Sequence, residues 1–202
     1  MRVVLTFLFC LITTFAHAQD LPALYRVVNV APDDLLNIRQ DPTSASIVLD
    51  TLAPTAENVE VIEFNATGTW GRVNLREASG WVFMKYLAPM PAGEFALGRA
   101  LSCLGTEPFW HLEIDQAETS VFSAIDAQKI EFNQFTLFPS ENQRMNYAFQ
   151  AESGISVAFG SIQNTICSDF MSDRLYGLSV TLLLQVSGEK RALSGCCSLV
   201  GN

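Results

Sequence analysis

The sequence predicts an all-β protein: a small barrel followed by a second antiparallel β-barrel or strongly curved sheet, the second stapled by disulfides. Three observations carry this reading. Short apolar stretches alternate with turn residues along the chain, and no long segment keeps a helical period. Pro89-Met90-Pro91-Ala92-Gly93 interrupts that rhythm as a linker does, stiff and then free. The cysteines Cys103, Cys167, Cys196 and Cys197 all fall after the linker.

Residues 24–88 form the first unit. Tyr25 to Val30 reads as a strand and Pro32-Asp33-Asp34 as a turn. Leu36-Asn37-Ile38-Arg39 is a short strand that Asp41-Pro42-Thr43-Ser44 breaks. Ile47 to Leu52, Val59 to Phe64, Thr69 to Leu75 and Gly80 to Met84 follow as strands between turn residues. Strands this short and turns this tight close into a compact barrel.

Residues 89–93 are the linker and residues 94–202 the second unit. Its expected strands are Phe95–Ser102, Phe109–Ile114, Thr119–Ala124, Ile130–Phe138, Met145–Glu152, Ile155–Ser161, Leu178–Val186 and Ala192–Leu199. Trp110, Leu112 and Ile114 point one way, His111 and Glu113 the other. Val180 to Val186 is more continuously apolar, the pattern of a strand buried on both faces. Glu152-Ser153-Gly154 suits a hairpin.

The first unit resembles a bacterial SH3 (SH3b-type) domain. Leu36-Asn37-Ile38-Arg39, the strand from Trp70 to Val73, and Gly80-Trp81-Val82 followed by Tyr86-Leu87 carry the resemblance. It implies a barrel of five or six strands whose ligands are cell-wall peptides, glycans or other proteins. Three anchors in the second unit are Cys103-Leu104-Gly105-Thr106-Glu107-Pro108-Phe109-Trp110, the stretch from Cys167-Ser168-Asp169 to Arg174-Leu175-Tyr176, and Gly195-Cys196-Cys197. They are similar to an uncharacterised family of bacterial envelope proteins and lipoproteins. That resemblance implies an address and a barrel, but no activity. This chain carries Phe170 where the family's middle motif has glycine, the residue that permits a positive φ freely.

Met1-Arg2, the apolar run Val3 to Phe15 and the small-x-small site Ala16-His17-Ala18 read as a signal peptide over residues 1–18. The run is too short to span a bilayer, and no later segment is apolar enough, so the cleaved protein is not expected to be integral to a membrane. Cys10 lacks the small residue that normally precedes a lipidated cysteine. Removing 18 residues from 202 leaves 184, and losing Arg2 takes the formal charge from −9 to −10. An acidic chain whose longest basic run is Lys190-Arg191 excludes a nucleic-acid role. The expected location is periplasmic or secreted. An even cysteine count in an oxidising compartment points to two disulfides with three possible connectivities. Neighbours on a strand face opposite sides, so Cys196 and Cys197 are expected to reach separate partners.

Trp70, Trp81 and Tyr86 either line an aromatic ligand groove or fill the core of a small barrel. Arg39, Arg72 and Asp34 lie near turns, free to meet peptide carboxylates or amines, or simply solvated. His111 is the only histidine of the mature chain, so no metal site of two or three histidines forms within one subunit, and no cofactor is expected. A serine or cysteine nucleophile beside His111 is the remaining catalytic option, without a nucleophile-elbow motif to support it. Asp169, Ser172 and Asp173 do not match a calcium loop; with Arg174 they are expected to order a loop pinned by Cys167. Glu107 is expected to hold Arg174 against Trp110, a cation–π closure of the barrel base analogous to that of lipocalin-like barrels.

The expected function is non-catalytic: an exported binding or scaffolding protein that docks on cell-wall peptidoglycan or an envelope protein through its first unit. The alternatives are a carrier of a small apolar ligand in the second barrel, which holds nine phenylalanines including Phe95, Phe122, Phe132, Phe149 and Phe159, and an enzyme or accessory of cell-wall hydrolysis.

Overall fold

The computed structural model describes residues 20–91, 100–115, 118–125 and 127–200. The expected leader, the end of the linker and the start of the Phe95–Ser102 strand lie outside them. Two antiparallel sheets account for the described chain, and no helix among the described residues is long and apolar enough to cross a membrane.

The first sheet contains β1 (Ala23–Val27), β2 (Leu36–Arg39), β3 (Val48–Leu52), β4 (Val59–Phe64), β5 (Trp70–Asn74), β6 (Ser79–Phe83) and β7 (Leu87–Pro89). Their order is β3-β2-β6-β5-β4-β1-β7. Alternation puts Tyr25, Val27, Leu36, Ile38, Val61, Val73 and Val82 into one small core. A 3-10 turn over Met84–Tyr86 and the short β7 were not expected. They form because Leu87 pairs across to Val27 on the first strand, a long-range contact that local pattern does not encode. Gly71 is required on β5: a Cβ there would stand 2.5 Å from Met84 Sδ and 2.9 Å from Val61 Cγ1.

The second sheet runs through β8 (Ala100–Thr106), β9 (Phe109–Asp115), β10 (Ser120–Ala124), β11 (Ala127–Phe132), β12 (Gln134–Pro139), β13 (Tyr147–Ser153), β14 (Ser156–Ser168), β15 (Leu175–Val186) and β16 (Glu189–Val200). The order is β11-β10-β9-β8-β16-β15-β14-β13-β12. The stretch expected as one strand, Ile130–Phe138, is divided at Asn133. Before it the chain pairs with β10, after it with β13. The two edges of the sheet are therefore joined covalently at Asn133, and the sheet curls into a nearly closed barrel.

The interior rows hold Leu101, Trp110, Leu112, Ile114, Phe122, Phe132, Phe149, Ile162, Leu178, Val180 and Leu182. β15 is buried on one face only. Leu183 is 44% exposed and lies across from Phe159, itself 46% exposed. From Leu178 to Val186 the residues of even number on β15 face the core, while the odd row forms the outer wall of the barrel. Phe159 accordingly does not belong to the interior.

The three sequence anchors of this unit meet in space. Cys197 bonds to Cys103, its direct partner across the β16–β8 ladder, and Cys196 bonds to Cys167. Thr106 Oγ1 donates to the Asp169 carbonyl at 3.0 Å, tying the first anchor to the second. Trp110 lies flat against two glycines. A Cβ on Gly105 would stand 2.1 Å from the indole Nε1, and one on Gly195 would stand 2.8 Å from Cζ2 and 2.0 Å from the Leu104 carbonyl. Only hydrogen at both positions lets the largest side chain of the barrel sit against its wall. Phe170 has φ of +58° and is 92% exposed, a left-handed conformation carried by a side chain that stands out in solvent.

The two sheets touch along one junction. Leu199 N donates to Glu60 Oε1 at 2.8 Å, Asp173 N to the Glu77 carbonyl at 3.0 Å and Leu175 N to Ser79 Oγ at 3.0 Å. Ahead of β1, Pro22 packs on Gly177, and Asn164 Nδ2 donates to the Leu21 carbonyl. Desolvation pushes the Glu60 carboxyl up from 4.5 to about 7, against the lowering pull of the Leu199 amide and of Arg174.

Two outcomes follow from this packing. Gly195→Ala should destabilise the protein by about 1–3 kcal/mol through overpacking, lowering Tm by several degrees in calorimetry; an unchanged Tm would mean that Trp110 does not need that wall. The folded protein keeps a proton on Glu60 that the unfolded chain has already released between pH 4.5 and about 7. That contribution is complete below the unfolded value and is lost as pH rises through the folded one. Tm should therefore fall more steeply from about pH 5 to about pH 8 in the native chain than in Glu60→Gln, and parallel profiles would contradict it.

Candidate binding groove on the first sheet

Trp70 and Phe83 are register partners across the β5–β6 hairpin, and their rings lie 5.3 Å apart at 48°. The 3-10 turn then swings Tyr86 edge-on to Phe83, centroids 6.1 Å apart at 62°. Tilted and edge-to-face arrangements suit aromatic quadrupoles and leave ring faces free to contact a ligand. These three half-buried rings form one wall of a cavity of about 850 Å³. Asn29 to Ala31, Asp34 to Asn37 and the Pro42-Thr43-Ser44 loop form the other.

Arg39 sits at the floor of this groove, where its Nη1 donates to the Ser46 carbonyl at 2.8 Å and fixes the opposite loop. Asp34 lines the same space, its Oδ1 accepting from Leu35 N at 2.8 Å. The groove thus offers stacking surface, a cation and an anion within one concavity, enough to orient a short polar chain.

Of the residues expected to bind, the structure brings together Trp70, Tyr86, Arg39 and Asp34. Trp81 and Arg72 are elsewhere. Trp81 is 9% exposed, with the Arg72 guanidinium 4.6 Å above its ring and Glu63 Oε2 3.2 Å from Arg72 Nε. Arg72 and Trp81 are register partners, so the sheet itself stacks them outside this groove. Phe83, which completes the aromatic wall, was missed. The signal was its cross-strand position opposite Trp70 once the hairpin turn after Asn74 sets the register.

In the second barrel, Asp169 orders its loop. Its carboxylate accepts from Met171 N at 3.0 Å, Ser172 N at 3.1 Å, Ser172 Oγ at 3.2 Å and Tyr176 OH at 3.3 Å. Desolvation is the largest single influence and raises its pKa, but these hydrogen bonds together outweigh it and hold the carboxyl below the usual range. Asp173 works through its backbone, pairing with Ala78 and Glu77 of the turn between β5 and β6. Arg174 does not close the barrel on Trp110. Its Cζ lies 4.9 Å over the Tyr176 ring, and with Glu60 it borders a junction cavity of about 310 Å³. Trp110 is turned inward and 4% exposed, whereas Glu107 occupies the exposed β8–β9 turn.

The arrangement closest to a catalytic one is Ser102 Oγ at 2.9 Å from His111 Nε2, with Glu113 Oε1 at 3.8 Å from Nδ1. It lies on the outer wall, where cross-strand neighbours on one face meet by default. The carboxylate is beyond hydrogen-bond distance. Ser102 stands mid-sheet between β9 and β16, whose ladders occupy the amides that an oxyanion hole would need. Among the described residues no cluster of His, Cys, Asp and Glu is placed to hold a metal. Compared with protein families, with curated proteins and with solved structures, the chain matches none.

A fluorophosphonate probe should leave Ser102 unlabelled, as seen by intact-mass spectrometry. Stoichiometric labelling that is lost in His111→Gln would show instead that this serine is activated.

Proposed function

We propose that this chain is an exported binding protein without catalytic chemistry, and that its first barrel recognises a cell-wall peptide or glycan, or an envelope protein presenting similar chemistry. The single observation that carries this reading is the Trp70–Phe83–Tyr86 wall facing Arg39 and Asp34 across a groove of about 850 Å³. Ring faces accept sugar rings and apolar peptide side chains, while the paired charges accept the carboxylates and amines that wall peptides carry. The SH3b-type resemblance of the first unit and the leader over residues 1–18 point the same way. Two disulfides fit an oxidising compartment.

The groove residues are not those that make the junction hydrogen bonds, so the second barrel leaves the groove open. Its part in this reading is to hold and present the first.

Mature chain from Gln19 to Asn202 should pellet with purified peptidoglycan sacculi. Trp70→Ala and Tyr86→Ala, on half-buried positions, should each weaken retention about tenfold, as expected for loss of an aromatic anchor worth roughly 1–2 kcal/mol. A chain that stays in the supernatant, or variants that pellet like the native chain, would sink wall recognition through this groove.

A further inference from the structure

The second barrel is not sealed along its whole height. The chain changes partner at Asn133, so β11 has a ladder neighbour only in β10, and its other edge looks toward the β13–β14 hairpin. The wedge between them is a cavity of about 740 Å³. That size lies within the range of roughly 300–1,000 Å³ found for small-molecule sites.

Its lining follows from register. Phe122 and Ile130 face each other across β10 and β11, while Leu184 and Val186 continue the interior row of β15. These four make an apolar floor. Arg191 lies across from Leu184 on β16, two residues before the buried Leu193, and so stands in the same inward row. It borders both this cavity and a smaller one of about 220 Å³ lined by Phe109, Trp110 and Ile125.

The remaining charges at the mouth are accounted for. Lys129 and Glu131 sit on the outward row of β11 and pair with each other at 3.1 Å. Glu189 lies across from Val186 at the hairpin tip, one inward position nearer solvent than Arg191. The charge beside the apolar floor is thus a guanidinium, and the Glu189 carboxylate occupies the next position of the same row at the rim.

We propose that this opening binds a single-chain anionic amphiphile, its carboxylate held by Arg191 and its hydrocarbon chain laid over Phe122, Ile130, Leu184 and Val186. This site lies in the other barrel from the aromatic groove and does not depend on it.

Calorimetric titration of the full mature chain with monomeric dodecanoate, dodecanol and dodecyltrimethylammonium tests the assignment, with native mass spectrometry for stoichiometry. Dodecanoate should bind one to one, at least about tenfold tighter than the other two, as a charge-assisted contact provides. Arg191→Gln, on an exposed side chain, should bring dodecanoate to within about twofold of dodecanol. Ser153→Trp, at the cavity wall, should abolish binding of all three while circular dichroism stays native; Arg191→Gln decides alone if that variant does not fold. No binding of dodecanoate, equal affinity for the three headgroups, an unchanged Arg191→Gln, or a folded Ser153→Trp that still binds would each overturn the proposal.

Discussion

Cys196 and Cys197 stand side by side on β16 and send their sulfurs to opposite sides of it, and the rest of the second barrel depends on that pair. Cys197 joins the inward row and fixes β16 to β8, 94 residues earlier in the chain. Cys196 faces the other way and fixes the end of β14. Closing a loop of that length removes about 4–5 kcal/mol of chain entropy from the unfolded state. One residue before the pair, Gly195 leaves the space that Trp110 fills. The staples thus fix the β8–β16 register, and the register places the glycines under the indole. With that wall in place, the loop ordered by Asp169 projects from a rigid base toward the first sheet.

The junction joins the second unit to the first. Three donors of the second unit, the amides of Leu199, Asp173 and Leu175, meet acceptors on Glu60, Glu77 and Ser79. These polar points stand beside the packing of Pro22 on Gly177, and one of them rests on a carboxyl that burial pushes up to about 7. The groove of the first sheet uses other residues: the loops around Asn29–Asp34 and Pro42–Ser44, and the ends of β5 and β6. A scaffold locked on one side and open on the other is the arrangement that a presented binding surface requires.

Much of the fold was legible in the sequence because β-structure with one buried face writes itself as alternation. Trp110, Leu112 and Ile114 give the inward row of β9 directly, and the separate partners of Cys196 and Cys197 follow from the same two-residue period. What alternation does not contain is which strand pairs with which. The break at Asn133 was hidden because both halves of the stretch keep a strand pattern and only the partner changes. The three-residue β7 was hidden for the same reason. The groove was half legible. Trp70, Tyr86 and Arg39 stood out by residue type, but Trp81 looked the same as Trp70 in sequence and differs in being buried under Arg72 across the ladder. Arg174 was assigned to Trp110 on analogy, whereas Tyr176, two residues along the same chain segment, provides the nearer ring.

The three tryptophans report on three separate places: Trp70 in the groove, Trp81 beneath Arg72 and Trp110 against Gly105 and Gly195. Their indole N–H resonances in a ¹⁵N-labelled mature chain, followed while soluble peptidoglycan fragments are added, test the central claim most directly. Recognition through the aromatic groove predicts that the Trp70 signal moves progressively to saturation while those of Trp81 and Trp110 hold still. A Trp70 signal that stays fixed through the titration, whether or not another indole moves, would contradict it.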